Sequence, residues 1–377
     1  MTGGAATEGK QGGQGLAAAL ASLKLPLGLL LLVPVAPVLK HLLGASPTWV
    51  FLAGALAVAV LADWVRRSTE HVAEHVGSAI GGLMTISFGS LAEVILAVFV
   101  LAEGKVEVVR AQITGSIIGT SLFGLGLAIV VGGIGRERQH FKRERAGQLS
   151  SMLILVVIAL LLPAAFDLAE RSVAGPARLA VTDEQLSIGV SVILLVLYGA
   201  NLLYTLVTHR DVFASEEPQE SGAAWPLWAA IGVLVAATAA IAFEAELVSG
   251  ALEATAASLG LTQTFVGIIV LALVGTASDL FAAAWFARQD KIGLAFNICA
   301  GSAIQVALVV APVLVLVSWA LGKPMTLVFD NPLDLFGIAG AAFIVNAIAS
   351  DGETTWFEGV LLVGVYVLLG TAFFFIG

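Results

Sequence analysis

Long apolar runs separated by short polar breaks set the character of this chain. Eleven runs read as spans, near 25–43, 48–65, 77–101, 107–133, 148–165, 186–208, 225–242, 262–287, 292–319, 333–350 and 356–376. A bilayer core ~30 Å thick needs about 20 apolar residues per helix, which these runs supply. An outer-membrane barrel would instead alternate over ~10 residues per strand. These runs are longer and apolar on every face. The pattern predicts an all-α integral membrane protein with eleven transmembrane helices.

Composition narrows the class further. Hydrophobic residues make up 59% of the 377 and charged residues only 12%, half the ~25% of a soluble domain. So apolar a chain is not intrinsically disordered either. The net charge of -9 carries little information, because the acids cluster in loops. No Lys/Arg face exists to neutralise phosphates, so nucleic-acid binding is excluded. One cysteine, Cys299, rules out a disulfide framework or a thiolate cluster; in its apolar stretch it reads as a small buried hydrophobe. Residues 1–24 are rich in Gly, Ala, Gln and Ser and read as a disordered tail. The run at 25–43, with Lys24 before it and Gly44-Ala45-Ser46 after it, has some marks of a signal peptide. Its leader is long for one, and a retained extra helix is the expectation.

Orientation follows from the basic residues of the short loops. A cytoplasmic N-terminus places Lys10, Lys24, Arg66, Arg67, Arg136, Arg138, Lys142, Arg143, Arg145, Arg210, Arg288 and Lys291 inside, most of the 18 Lys and Arg. The loop at 134–147 contributes most of this bias. Eleven spans then put the C-terminus outside.

The chain also repeats itself. Sliding it by 186 residues lays 81–133 on 267–319 without a gap. Gly81 meets Gly267, Gly89 meets Gly275, Glu93 meets Asp279, Lys105 meets Lys291, and Gly115-Ser116 meets Gly301-Ser302. Upstream, Glu70-x6-Gly77 matches Glu253-x6-Gly260 after a shift of three. Each repeat holds five spans, an odd number, so the second copy enters from the opposite side. The expected organisation is a tail (1–24), an extra helix (25–43), a first five-helix repeat (48–208), an acidic cytoplasmic linker (209–224) and a second five-helix repeat (225–377). Inverted repeats are a common plan of secondary transporters, whose sites lie near the midplane between the copies.

Ionisable groups within a span cost about 2.5–3.5 kcal/mol on insertion scales and mark function. Glu93, in Gly89-Ser90-Leu91-Ala92-Glu93, and Asp279, in Gly275-Thr276-Ala277-Ser278-Asp279, lie deep in spans three and eight. Each follows a Gly by four, one helical turn, which places both on one side. Glycine lets the backbone unwind and turn carbonyls toward an ion, and Ser90 and Thr276 add hydroxyl oxygens. These hard oxygens suit calcium or sodium. Two ionised carboxylates balance one divalent cation, and two protons balance them equally, which is the charge logic of exchange. No Lys or Arg falls at their depth in the expected spans. Ser116, Ser302 and Gln305 are further candidate ligands, though small residues also serve close helix packing. Asn346 and Ser350 read as interhelical hydrogen bonds. His71-Val72-Ala73-Glu74-His75 fits H-x-x-E-H, but three fixed positions at a membrane edge make a weak zinc-peptidase signal. Asp211, Glu216, Glu217 and Glu220 read first as a solvated linker.

Together these motifs resemble the calcium/proton exchanger family of the calcium:cation antiporter superfamily. The first signature runs from Thr69-Glu70 through Gly81-Gly82-Leu83, Phe88-Gly89-Ser90 and Glu93 to Gly115-Ser116-Ile117-Ile118-Gly119. The second runs from Phe265-Val266-Gly267 through Gly275–Asp279 and Asp290-Lys291 to Gly301-Ser302-Ala303-Ile304-Gln305 and Ala311-Pro312. The resemblance covers about 45–376. It implies an eleven-span fold and cation binding by Glu93 and Asp279, with Gln305 carried over and Glu70 and Glu253 as acids flanking the pathway. Departures are Ser90, Thr120 and Thr276 where the family has Asn, Asp279 where it has Glu, and Leu280 where it has His. They bear on selectivity and stoichiometry. The reading is Ca2+/H+ antiport, with Na+ or K+/H+ antiport and a non-transporting cation sensor as alternatives. Its partners are small cations, protons and the bilayer, with a homo-oligomer left open. No enzyme chemistry is visible and no organic cofactor is implied.

Overall fold

The computed structural model describes residues 28–76, 81, 84, 87–171, 176–204, 225–329 and 331–376. The expected tail and acidic linker lie outside the described residues. The helices are α1 (Leu30–His41), α2 (Pro47–Val76), α3 (Leu91–Ala102), α4 (Val106–Gly133), α5 (Arg143–Glu170), α6 (Pro176–Leu203), α7 (Leu227–Leu259), α8 (Gln263–Gly275), α9 (Ala277–Arg288), α10 (Ile292–Ala320), α11 (Pro332–Asp351) and α12 (Trp356–Ile376). Among the described residues, 8 are long and apolar enough to cross a membrane, or up to 9 if the bent pair α8–α9 counts as one span. Two of the eleven expected spans, 25–43 and 77–101, are represented by the shorter helices α1 and α3.

Two helices run well past their expected ends. α2 has 30 residues and α7 has 33, roughly 45–50 Å at ~1.5 Å per residue. Expected spans 48–65 and 225–242 stop where charges begin. In α2 those charges neutralise one another along the helix. Arg66 donates to Asp63 at 2.8 Å and to Glu70 at 2.6 Å, and Arg67 donates to Asp63 at 2.6 Å. Pairs at i,i+3 and i,i+4 support a helix rather than ending it. Arg66 and Arg67 are therefore helical residues, not the loop residues expected from hydropathy. α7 ends at Gly260, whose φ of +65° is the left-handed cap that glycine adopts without strain.

α2 and α7 open the two repeats and pack antiparallel along their length. Thr48 and Ser258 hydroxyls meet at 2.8 Å at one end. At the other, Trp225 stacks on His71 at 4.6 Å and lies 5.9 Å from Trp64. The other contacts exchange in the same way. Leu125–Gly133 of α4 packs on α9 and α12, while Ala311–Ala320 of α10 packs on α3 and α6. α5 packs on α11, tied by Ser150 Oγ donating to Asn346 Oδ1 at 3.0 Å. Asn346 is thus the interhelical acceptor expected, whereas Ser350 bonds back to the Asn346 carbonyl within its own helix. A short ladder, β1 (Gln139–His140) against β2 (Glu353–Thr354), closes one end. Exposed tryptophans ring both ends of the bundle, Trp49 and Trp319 at one and Trp228, Trp285 and Trp356 at the other, as in the aromatic belts of membrane proteins.

Candidate functional site

The two repeat motifs break the helix in the same manner. Ser90 stands between residues 87–89 and α3 with φ -96°, ψ 15°. Thr276 stands between α8 and α9 with φ -97°, ψ 5°, and the axes there bend by 57°. The continuous turn expected from Gly89 to Glu93 and from Gly275 to Asp279 is therefore interrupted one residue after each glycine. Each carboxylate falls in the first turn of a new helix, where the helix dipole favours negative charge. Broken helices at the core of inverted repeats are a recurring way of building ion sites.

The side chains converge across the repeats. Glu93 is 2% exposed and lies against the Gly275 backbone, where a Cβ would stand 3.3 Å from Glu93 Cβ and Cγ. It is near enough to Asp279 for the two charges to interact. Ser116 lies beside the Glu93 carboxylate and Ser302 beside that of Asp279, the same pairing in both copies. Among the described residues neither hydroxyl completes a hydrogen bond, and Ser116 Oγ, Ser302 Oγ and Glu93 Oε1 are buried with no partner there. Thr276 Oγ1 donates to the Ala272 carbonyl at 2.8 Å, leaving its lone pairs available. Gln305 reaches across to Gly89, where a Cβ would lie 3.5 Å from its Oε1. Directly after Ser116 and Ser302, α4 and α10 widen into π-turns at Gly119–Gly124 and Val306–Val310, a distortion frequent at functional sites. Carboxylates and hydroxyls with unused oxygen capacity, with an amide beside them, fit a hard cation in transit.

Gly115 serves packing instead. A Cβ there would overlap the Ile268 carbonyl of α8, so this glycine permits the close crossing of α4 and α8. Of the two expected flanking acids, Glu70 is held by Arg66 near one end of α2, and Glu253 is exposed toward the opposite side of the bundle on α7. His71 Nδ1 lies 3.4 Å from Glu74, and His75 Nδ1 bonds the His71 carbonyl at 2.8 Å, so both rings are engaged within α2.

Three polar features of the bundle interior escaped the sequence. Arg66 projects its charge onto Asp279, because α2 packs on α8 and α9. Gln112 donates weakly to the Glu93 carbonyl at 3.4 Å. Glu244 is buried in α7. Only the last had a readable signal, a carboxylate directly after a long apolar run.

Known proteins match this arrangement. The family described as "Sodium/calcium exchanger protein" matches residues 46–207 and 229–375. The chain is 38% identical over 363 residues to a Ca(2+)/H(+) antiporter of Aphanothece halophytica, covering 92% of this chain and 95% of that one. It is 35% identical over 324 residues to the Ca(2+)/H(+) antiporter ChaA of Bacillus subtilis, covering 85% and 90%. The solved structure of native YfkE superposes with a TM-score of 0.77 at 32% identity, over 91% of this chain and 97% of that one.

Proposed function

The chain belongs to the sodium/calcium exchanger protein family, and from that premise we propose that it is a secondary active antiporter exchanging Ca2+ for H+ by alternating access. The observation that carries the reading is the in-register pair of Glu93 and Asp279, each beside a buried serine, with oxygens left unpartnered. Relatives named as Ca(2+)/H(+) antiporters at high coverage support it. The protein moves ions and performs no covalent chemistry.

In this reading Glu93 and Asp279 hold the cation, with Ser90, Thr276, Ser116, Ser302 and Gln305 supplying further oxygens and Gly89 and Gly275 letting backbone approach. A divalent ion neutralises both carboxylates, and two protons do the same. The doubly ionised empty site is costly in a low-dielectric interior. The carrier therefore crosses loaded with calcium or with protons, and the two fluxes are coupled. Asp279 is one methylene shorter than the family's Glu, which widens the cavity on that side. The N-terminus and the basic loop at 134–147 face the cytoplasm and the C-terminus faces outward, in the cell membrane.

The test is reconstitution in liposomes with an inside-acid gradient, adding calcium, sodium or potassium outside in turn while following internal pH. Dissipation by calcium that is absent in Glu93→Gln and Asp279→Asn supports the proposal. Dissipation by a monovalent cation alone moves the assignment to Na+ or K+/H+ exchange. No dissipation by any cation in a folded preparation moves it to a sensor.

A further inference from the structure

The two-carboxylate site leaves one buried acid unexplained. Glu244 lies near the middle of α7, is 1% exposed, and neither of its carboxylate oxygens has a hydrogen-bond partner among the described residues. Its Oε2 reaches the α2 backbone at Gly54, where a Cβ would lie 3.3 Å away. The same Cβ would stand 2.8 Å from Val248 and 3.7 Å from Ala36 of α1. Glu244 is thus enclosed where the opening helices of the two repeats cross, beside the extra helix. The surroundings are apolar, with Ala36, Val50 and Leu247 forming a buried cluster there.

Charged groups occur on every element packed against this stretch. They are Lys40 and His41 on α1, the charged turns beginning at Asp63 on α2, Glu93 on α3, and the Glu103–Lys105 pair beyond it. Asp63 and Glu103 are bonded elsewhere, to Arg66 and Arg67 and to Lys105 and Ser249. Among the described residues none forms an ion pair or hydrogen bond with Glu244. A bare carboxylate in such a place is far costlier than a neutral acid.

We propose that Glu244 is a proton-binding site in its own right, separate from the Glu93–Asp279 pair, whose occupancy holds the α2–α7 crossing closed. The ligand is H+ because calcium requires about six to eight oxygens, and one carboxylate among Gly, Val and Ala side chains does not approach that number. One proton adds to one carboxylate oxygen, and the neutral acid fits its apolar surroundings. When α2 and α7 separate, water reaches the group and the proton can leave. The existence of the site does not rest on the antiport reading, since a sensor or a monovalent exchanger would contain it equally.

The test is dicyclohexylcarbodiimide labelling of the full-length protein in liposomes, read by site-resolved mass spectrometry with and without calcium. This reagent adds to protonated carboxyls in apolar surroundings. The expected result is labelling of Glu244 at acid pH that falls as pH rises and is unchanged by calcium, while calcium protects Glu93. Calcium protection of Glu93 tests the antiport site independently. Labelling of Glu244 that calcium suppresses, or no labelling at any pH, overturns the proposal. Thermal unfolding provides the second readout. A site that holds a proton only when folded loses stability as pH rises, so wild type should melt earlier at alkaline pH while Glu244→Gln, permanently neutral, shows less of that dependence. Superimposable pH profiles for the two proteins overturn the proposal as well.

Discussion

Gly275→Ala isolates the contact that joins the two repeats at the site. The added methyl would stand 3.3 Å from Glu93 Cβ and Cγ and 3.4 Å from its Cα. Carbon atoms prefer about 3.5–4.0 Å, so Glu93 must retreat by roughly 0.2–0.7 Å. Calcium–oxygen bonds span only about 2.3–2.6 Å, and a retreat of this size takes one of two carboxylates out of good reach. The expected loss is about tenfold in apparent calcium affinity, or ~1.4 kcal/mol. The fold should survive, because overpacking costs of about 1–3 kcal/mol are partly offset by the ~1 kcal/mol that alanine gains over glycine in a helix. Calcium-dependent proton efflux from liposomes measures the affinity, and a melt in detergent checks the fold. Gly337→Ala is the control, since it lies outside the site and its methyl would meet Ile118 Cγ2 at an ordinary 3.5 Å, and less than about a twofold change is expected. An unchanged calcium KM in a well-folded Gly275→Ala protein, or equal losses in both variants, would refute the geometry.

Three further outcomes follow from the same structure. Gly115→Ala drives a methyl into the Ile268 backbone carbonyl of α8, and it should cost more than about 3 kcal/mol, visible as lost yield and a collapsed melt in detergent. Ser150→Ala removes the 3.0 Å bond to Asn346; it should lower stability by about 0.6 kcal/mol while calcium flux stays at the wild-type rate. Arg66→Gln removes a positive charge that acts on Asp279, so the calcium KM measured from the Glu70 side should fall by roughly two- to fivefold at low ionic strength, with the difference shrinking as salt is raised.

The repeat and its two carboxylates were legible because a bilayer leaves few polar positions, and those few fell in register at 93 and 279. Each described helix overlaps one of the expected apolar runs. Hydropathy misplaced the ends of α2 and α7, because a window that ends at the first charge does not register that Asp63, Arg66, Arg67 and Glu70 neutralise one another on a continuing helix. That error hid Arg66 from the site and placed Glu244 beyond the end of its expected span. The Gly115-Ser116 pair could not be apportioned from sequence, since packing and liganding both favour small residues. The structure divides them, with Gly115 against a neighbouring backbone and Ser116 beside Glu93. Gly89 and Gly275 signalled unwound backbone, but not that the break falls one residue later, at Ser90 and Thr276.

Proton release on calcium binding tests the central claim most directly. Calcium is added to purified protein in weakly buffered detergent at a pH where the empty site is protonated, and the protons released per ion bound are counted. If Glu93 and Asp279 exchange two protons for one calcium ion, wild type releases about two, and Glu93→Gln and Asp279→Asn each release fewer while binding calcium more weakly. Calcium binding without proton release, or release unchanged in either variant, would contradict the account.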